Sequence, residues 1–369
     1  MLAVEPLPVT VVAEALWHRV PGGTGVATKE LLTRLARRPD LALDAVAARR
    51  SGDSVAGVPV DVRAARLPRV ALYEAWARTG RPDVTGRRSA LLHSPMLMAP
   101  TSARVPVVVT VHDLAWQERP EDFPRRPLEL YRRMWTRIVD DAAHIICSSE
   151  VTARGVESAG VERDRITVVH LGGRHLAASA TTTPAALGLD GPFVLSVGTA
   201  EPRKNLRRLL WAFDRSELWR DGVRLAVVGP TGWRFELTGA MTSMSDDAAA
   251  HVVALGRVTD DELGALYRDA VAFAYPSLLE GFGLPVLEAL AAGAPVVTSA
   301  DTSTAEVAGD AGVLVDPTDV DQLGDALVRV VTDTELRDRL AAAAPQQAAR
   351  FSWERHIDET VEIYRKVAA

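Results

Sequence analysis

The amino-acid sequence predicts an α/β protein of two doubly wound domains, each built on a parallel sheet covered by helices on both faces. Short β-branched runs, such as PVVVTV at 106–111 and FVLSVG at 193–198, alternate with helical patterns along the whole chain. These runs are apolar almost throughout, which is typical of parallel strands buried on both faces. The 369 residues are also enough to form two separate hydrophobic cores.

The apolar runs predict six strands in each half of the chain. Those of the first half are 8–14, 43–48, 90–93, 106–111, 143–147 and 166–169, and those of the second are 193–198, 224–229, 252–255, 271–275, 295–299 and 312–315. Residues 176–192 are rich in Ala and Thr and are broken by prolines, so they are predicted to be a linker. The predicted domains are 1–175 and 193–350, followed by a final helix over 351–369.

The composition excludes several classes of protein. Cys147 is the single cysteine, which excludes a disulfide framework and suits a reducing cytoplasm. The start of the chain resembles no signal peptide, and no uncharged apolar run approaches the roughly 18 residues of a spanning helix. A net charge of −6 without a dense basic stripe disfavours nucleic acid as a partner. We therefore expect a soluble, cytoplasmic protein.

Open α/β sheets bind ligands beyond the carboxyl ends of their strands, so residues that follow strands are the candidates for function. Gly22 and Gly23 follow the first strand and precede a helical pattern. Such a loop can hold a phosphate, and it can equally be a plain tight turn. Because the pattern G-x-G-x-x-G is missing, a nicotinamide dinucleotide is not favoured.

Two cations follow the first strand of the second half. Arg203 and Lys204 precede Asn205, the predicted N-cap of a helix. At the carboxyl end of a strand they would suit a diphosphate, although such a pair can also be a solvated surface feature.

The stretch PSLLEGFGLPVLEA at 276–289 places two carboxylates on two different elements. Gly281, Gly283 and Pro285 do not fit a continuous helix. Glu280 is therefore predicted on a loop, and Glu288 about one turn into a helix that starts near Pro285. The two carboxylates could converge on one hydroxyl-rich ligand.

His112 and Asp113 follow the strand 106–111. They could transfer a proton, orient a ligand hydroxyl or form a buried His–Asp pair. Too few ligands lie near them in sequence for a metal site. The D-x-D at Asp319 and Asp321 is interpreted as a helix start in which Asp319 and Gln322 form a capping box. No metal site is predicted.

The stretch 124–138 is a basic amphipathic helix with five arginines. It could lie on an anionic membrane surface, or it could pack its apolar face on its own domain and expose the arginines to water.

Together these features resemble the retaining glycosyltransferases of family 4, a GT-B group that uses nucleotide-diphosphate sugars. The resemblance rests on E-x7-E in LLEGFGLPVLE, on VGTAEPRKN, on LGRVTDDELGALYRDA and on VHDL followed by ERPEDFP. It implies two Rossmann-like domains that face each other across a cleft, with the acceptor on the first and the donor on the second. It also implies that the final helix crosses back to the first domain. Neither a metal nor another cofactor is expected.

The resemblance implies a role for each matching residue. Glu280 would contact the hydroxyls of the transferred sugar, Glu288 would hold the ribose, and Arg203 and Lys204 would balance the diphosphate charge. His112 would face the sugar and the acceptor, with Asp113 on the acceptor side. The other donor-binding residues would be Gly22, Gly23, Gly198, Thr199, Arg257, Val258, Leu263, Phe282, Gly283 and Leu284. Many relatives carry arginine where this chain has Thr199. Part of the phosphate-binding role of that arginine is therefore expected of Arg203.

VHDL with ERPEDFP is similar to the bacterial mannosyltransferase branch that works on lipid-linked or cell-envelope glycans. This favours GDP-mannose as donor, while UDP- and dTDP-sugars stay open. The acceptor would be a hydroxyl of a glycan, of a lipid-linked molecule or of a small molecule. The enzyme itself is expected in the cytoplasm, where it could contact the inner face of the plasma membrane. The alternatives are another nucleotide-sugar enzyme, such as an epimerase or a hydrolase, and a non-catalytic nucleotide-sugar binding protein.

Overall fold

A computed structural model describes residues 5–18, 22–49, 58–174, 176, 182–230, 232 and 236–369. The chain forms two compact units, the first made of residues 1–172 and 352–369 and the second of 173–351. Part of the predicted linker, residues 177–181, lies outside the described residues.

Each unit contains one parallel sheet. The strands of the first are β1 (Leu7–Val12), β2 (Leu41–Ala47), β3 (Val62–Ala64), β4 (Leu91–Ser94), β5 (Val107–Val111), β6 (His144–Cys147) and β7 (Ile166–Val168). Those of the second are β8 (Phe193–Val197), β9 (Arg224–Val228), β10 (Val252–Gly256), β11 (Ala272–Tyr275), β12 (Val296–Ser299) and β13 (Gly312–Val315). All twelve predicted strands are confirmed. The short edge strand β3 was not predicted, because three residues are too few to show a pattern.

An α-helix follows most of the strands, but among the described residues none separates β2 from β3, β4 from β5 or β7 from β8. In chain order they are α1 (Gly22–Leu35), α2 (Arg69–Thr79), α3 (Ala115–Glu118), α4 (Arg125–Asp141), α5 (Glu150–Ser158), α6 (Leu206–Arg215), α7 (Leu237–Met241), α8 (Asp246–Ala249), α9 (Asp260–Asp269), α10 (Leu284–Ala291), α11 (Ser303–Ala308), α12 (Val320–Thr332), α13 (Thr334–Ala348) and α14 (Trp353–Ala368). Short 3₁₀ helices occupy Glu14–Trp17, Pro120–Asp122, Arg163–Arg165, Pro184–Leu187, Pro202–Lys204, Leu218–Asp221 and Gly309–Ala311.

Both sheets have the same strand order around their first strand. The orders are β3-β2-β1-β4-β5-β6-β7 and β10-β9-β8-β11-β12-β13, and all neighbouring strands are parallel. In the first sheet Val9 of β1 lies between Leu43 and Leu91, and in the second Val194 of β8 lies between Leu225 and Ala272. In the first sheet, the strands after β1 are added on one side of it up to β3 and on the other side from β4 onwards. In the second sheet, the same reversal occurs between β8 and β11. Such reversal points are where doubly wound sheets bind ligands.

The last helix belongs to the first unit. Ile357, Val361 and Tyr364 of α14 are buried in the same core as Leu31 of α1. Outside this core, Arg38 pairs with Asp358, and Arg365 pairs with Asp40. Apolar burial and ion pairs thus hold the end of the chain on the first unit.

The basic helix α4 packs its apolar face on its own unit. Leu128, Met134, Trp135 and Ile138 are buried in the core of the first unit. Arg125, Arg126, Arg132 and Arg133 remain exposed on the opposite face. Within the described residues, no helix is both long enough and apolar enough to cross a membrane.

The N-terminal caps of α12 and α6 differ in detail from those predicted. Asp319 caps α12 by accepting from the backbone N–H groups of Asp321 and Gln322. The Gln322 side chain does not complete a capping box, because it accepts from the backbone N–H of Asp316 instead. Asn205 precedes α6 in a left-handed conformation, with φ of 59°, and its side chain makes no cap. The predicted N-cap position of Asn205 is confirmed, because its carbonyl accepts from the N–H groups of Arg208 and Leu209, but the side-chain cap expected there is not formed.

Candidate active site

A cluster of charged side chains lies in the second unit, beyond the carboxyl ends of β8 and β11. Lys204 ends the 3₁₀ helix that follows β8, and its Nζ donates to the Tyr275 hydroxyl at 2.5 Å and to the Glu280 carboxylate. Arg203 Nη1 lies 3.4 Å from the same Glu280 oxygen, Oε1, and Arg203 Nε lies 3.1 Å from Glu201. The two predicted cations and the predicted loop carboxylate therefore meet at one point.

Burial and charge act in opposite directions within this cluster. The Glu280 side chain is only 8% exposed. Burial by itself would raise the pKa of Glu280, but the charges of Lys204 and Arg203 outweigh burial and hold that pKa below its usual value. Burial lowers the pKa of Lys204, and Glu280 opposes this only in part. Glu280 is therefore a carboxylate at neutral pH.

Tyr275, the last residue of β11, was not predicted to belong to the site. Its hydroxyl donates to Glu280 Oε1 at 3.1 Å and accepts from Lys204. The sequence showed it only as the end of an apolar strand run. A hydroxyl at the carboxyl end of a strand was the signal that could have identified it.

The loop that carries Glu280 is fixed through its backbone. The Asn205 amide donates to the Pro276 carbonyl at 2.9 Å, Ser299 Oγ to the Ser277 carbonyl at 2.6 Å, and Ser303 Oγ to the Glu280 carbonyl at 2.7 Å. These hydrogen bonds hold the Glu280 backbone at a defined place beside Lys204.

Helix α10 begins directly after this loop, as predicted. Gly283 precedes it with φ of 104°, and a Cβ at Gly283 would lie 2.8 Å from Thr304 Cγ2. Leu284 and Phe282 are buried, and the Phe282 ring packs edge-on against Phe351 at 5.6 Å. Only glycine fits at 283 without strain, so the start of α10 can lie against Thr304 of α11.

Glu288 lies in the second turn of α10, and its carboxylate is bonded on both oxygens. Arg174 Nε donates to Oε1 at 2.8 Å, and the Tyr267 hydroxyl donates to Oε2 at 3.2 Å. Burial raises the pKa of Glu288, while Arg174 and the Tyr267 bond oppose the rise without cancelling it. Sequence reasoning missed both Arg174 and Tyr267, which lie 114 and 21 residues from Glu288 along the chain.

The other predicted donor-binding residues of the second unit lie at the same edge of the sheet. Gly198 and Thr199 follow β8, and a Cβ at Gly198 would lie 3.9 Å from Lys204 Cε. Arg257 and Val258 follow β10, two strands away in the sheet, and Leu263 is buried in α9.

In the first unit, His112 follows β5 and is held by two bonds. Its Nδ1 lies 2.7 Å from Ser148 Oγ, and its Nε2 lies 3.2 Å from the Pro95 carbonyl. Because a carbonyl only accepts, Nε2 carries the proton and Nδ1 accepts from Ser148. Burial lowers the pKa of His112 although the Asp113 charge opposes it, so the imidazole is neutral at neutral pH.

Asp113, Gly22 and Gly23 also follow strands of the first sheet. Asp113 Oδ1 accepts from the Ala115 backbone N–H at 3.0 Å, at the start of α3. Gly22 begins α1 with φ of 55°, and both glycines are exposed. Asp113 thus lies at the carboxyl end of β5, where ligands of this fold class bind, whereas Gly22 and Gly23 come after β1 and the 3₁₀ helix Glu14–Trp17.

The two halves of the chain match two parts of one family. Residues 182–347 match the model of the glycosyl transferases group 1, and residues 21–172 match that of Glycosyltransferase Family 4. The chain is 31% identical over 306 residues to O-antigen chain mannosyltransferase B of Escherichia coli, which covers 79% of this chain and 77% of that protein. The chain belongs to the family 4 glycosyltransferases.

This glycosyltransferase has further relatives in sequence and in structure. It is 32% identical over 254 residues to D-inositol 3-phosphate glycosyltransferase of a Nocardioides species, over 63% of this chain and 56% of that protein. Its fold is similar to that of Alr3699/HepE of Anabaena, solved in complex with UDP and glucose. The TM-score is 0.74 at 18% identity, over 98% of this chain and all of the other. The predicted GT-B class, with two Rossmann-like domains on parallel sheets, is confirmed.

Proposed function

We propose that this glycosyltransferase moves mannose from GDP-mannose to a hydroxyl of a glycan, lipid-linked or small-molecule acceptor, with retention of the anomeric configuration and without a metal. The observation that carries the proposal is the cluster of Lys204, Arg203 and Glu280 beside α10, at the point where the second sheet reverses its winding. Binding of a sugar diphosphate would use cations for the phosphates and a carboxylate for the sugar hydroxyls, and both kinds of group meet there.

The cations would act on the leaving group. When the bond to the anomeric carbon breaks, the diphosphate becomes more negative and the sugar takes on positive charge. Lys204 and Arg203 are fixed by hydrogen bonds before the reaction, so they can stabilise the developing charge without reorganising. The N–H groups at the start of α10, which begins four residues after Glu280, would add a partial positive charge.

Glu280 would orient the hydroxyls of the transferred sugar. Its Oε1 already accepts from Lys204 and Tyr275, and its lowered pKa makes it a weak base. Both features favour hydrogen bonding to the sugar over covalent attack on it. We therefore propose substitution on the same face of the sugar. Proton NMR of the product tests this, because an inverted anomeric configuration would exclude it.

Metal independence is proposed because protein cations take the place of the ion. Among the described residues, no group of three or more His, Cys, Asp and Glu could hold a metal. Turnover should be the same with EDTA as with Mg²⁺. A loss of turnover in EDTA that Mg²⁺ restores would contradict this part of the proposal.

The donor assignment rests on the relatives. The E. coli protein is named as a mannosyltransferase, whereas the Anabaena structure contains UDP and glucose. Calorimetric titration with GDP, UDP and dTDP separates these donors. Tightest binding of GDP supports GDP-mannose, and a preference for UDP would replace it.

Dependence on an acceptor separates transfer from the alternatives. A glycosyltransferase consumes its donor faster when a suitable acceptor is added, whereas an epimerase or a hydrolase does not need one. A nucleotide-sugar binding protein would bind the donor without turnover. A donor-release assay with and without acceptor glycans distinguishes the three.

We further propose that the enzyme works in the cytoplasm, in peripheral contact with an anionic membrane surface. The apolar face of α4 is buried, so contact would depend on the exposed Arg125, Arg126, Arg132 and Arg133. Co-sedimentation with phosphatidylglycerol vesicles at low salt tests this. No difference between anionic and neutral vesicles would contradict it.

A further inference from the structure

We propose that Arg174 is a positioning residue for the donor, which keeps the carboxylate of Glu288 charged and oriented toward the ribose of the nucleotide. This inference rests on the proposed function, in which Glu288 holds the ribose. Arg174 is the second residue of the second unit. No sequence motif pointed to it, and the structure places it beside α10.

The geometry of this pair is specific. Arg174 Nε lies 2.8 Å from Glu288 Oε1, and Arg174 Nη1 lies 3.5 Å from Asp260 Oδ1 at the start of α9. Gly173 lets the chain come close to α10, because a Cβ at 173 would lie 3.1 Å from Leu287 Cγ. The backbone before Arg174 is thus packed against the helix that carries Glu288.

Arg174 supplies the positive charge that the buried carboxylate needs. The Glu288 side chain is 6% exposed and that of Arg174 is 30% exposed. Tyr267, on α9, donates a hydrogen bond but no charge, while the negative charge of Asp260 works against ionisation of Glu288. Without Arg174, burial and Asp260 would both favour the protonated carboxyl.

An ionised Glu288 still has acceptor capacity for a ligand. A carboxylate offers about four lone-pair positions. In the part of the chain that the structure describes, the side chains of Arg174 and Tyr267 use two of them. The two vicinal hydroxyls of a ribose could donate to the others. A protonated carboxyl would accept them more weakly.

This role predicts a particular pH dependence. Binding through an ionised Glu288 is present above the pKa of Glu288 and is lost as the pH falls through it. Removal of Arg174 raises that pKa, so the loss should begin at a higher pH than in the wild type. A residue that only stabilised the fold would not shift the profile.

The test is calorimetric titration with GDP, UDP and dTDP between about pH 5 and pH 8.5, a range chosen to span a carboxyl whose pKa is raised. The variants are R174Q, R174K, E288Q and R174Q/E288Q. R215Q, which removes an exposed ion pair with Asp321 in the same unit, is the matched control.

For the nucleotide that the wild type binds most tightly, the loss of affinity on acidification should have its midpoint about one pH unit higher in R174Q than in the wild type, so that R174Q binds about tenfold more weakly on the acid side of both midpoints. The deficit should shrink at higher pH, and R174K should recover most of the affinity. In the E288Q background, loss of Arg174 should have no further effect. Melting temperatures show whether each variant is folded.

Two results would overturn the inference. One is an R174Q protein that binds as tightly as the wild type or more tightly, which would show that Arg174 does not assist nucleotide binding. The other is a loss of affinity that is the same at every pH and in the E288Q background. If the wild type binds none of the three nucleotides, the proposed donor site itself fails, and that result does not depend on Arg174.

Discussion

Lys204 and Glu280 form a buried ion pair in which each residue fixes the position of the other. Lys204 Nζ also donates to Tyr275, which in turn donates to the same Glu280 oxygen. The cation proposed for the diphosphate and the carboxylate proposed for the sugar are therefore one structural unit. Substitution of either member should change both the chemistry and the stability of the second unit.

K204A should lower kcat/KM by about a hundredfold or more, because a fixed positive charge near the leaving group is lost. It should also lower the free energy of unfolding by about 1–3 kcal/mol, since the buried Glu280 loses its nearest partner. Initial rates and urea unfolding measure the two effects. The double variant K204A/E280A should recover stability without activity. Unchanged kcat/KM in a folded K204A protein would refute the role of Lys204.

E288Q should raise the donor KM by about tenfold and change kcat little, because a neutral amide is a weaker acceptor for the ribose hydroxyls. E335Q, at an exposed position of α13, is the matched control and should behave like the wild type. Steady-state kinetics with the donor and the acceptor varied separately make the measurement. A change confined to the acceptor KM would show that Glu288 does not hold the ribose.

The two buried tyrosines should give different kinetic effects. Y275F removes the hydroxyl between Lys204 and Glu280, so it should lower kcat, by about tenfold if the loss costs about 1.4 kcal/mol in the transition state. Y267F removes a bond to Glu288, so it should mainly raise the donor KM. Each variant serves as the control for the other. Equal effects of both on the same constant would contradict the separate roles.

Buried neutral histidines should make the first unit sensitive to acid. His93 bonds to Tyr364 and Thr110, and burial lowers its pKa to about 3, while burial lowers the pKa of His356 to about 4. In the unfolded chain these residues bind protons near pH 6.5, so their contribution to stability is complete above that pH and is lost as the pH falls below it.

Each such histidine should reduce the free energy of unfolding by about 1.4 kcal/mol per pH unit between about pH 6.5 and pH 5, above the range where most carboxylates titrate. Urea unfolding at several pH values measures the slope. H93Q should have a shallower slope than the wild type in this window. An identical slope in both proteins would mean that His93 does not contribute.

Local sequence patterns predicted the strands and the separation of the two glutamates. Twelve runs of apolar residues became strands, because parallel strands buried on both faces must be apolar along their length. Gly281, Gly283 and Pro285 ended one element and started another, so Glu280 lies on a loop and Glu288 in α10. The three-residue strand β3 and the side-chain role of Asn205 were missed, since both depend on neighbours outside the local pattern.

The sequence by itself therefore determined the class of fold, the order of its elements and the residues at the carboxyl ends of the strands. Only the tertiary structure decided which side chains meet there. Lys204 and Tyr275 are 71 residues apart, and Arg174 and Glu288 are 114 apart. The pattern of buried residues along an element and the backbone preferences of residues such as Gly and Pro depend on a few neighbouring residues. They can therefore be recognised in the local sequence. Contacts between distant residues, and the pKa values that these contacts set, arise only when the sheet brings the strand ends together.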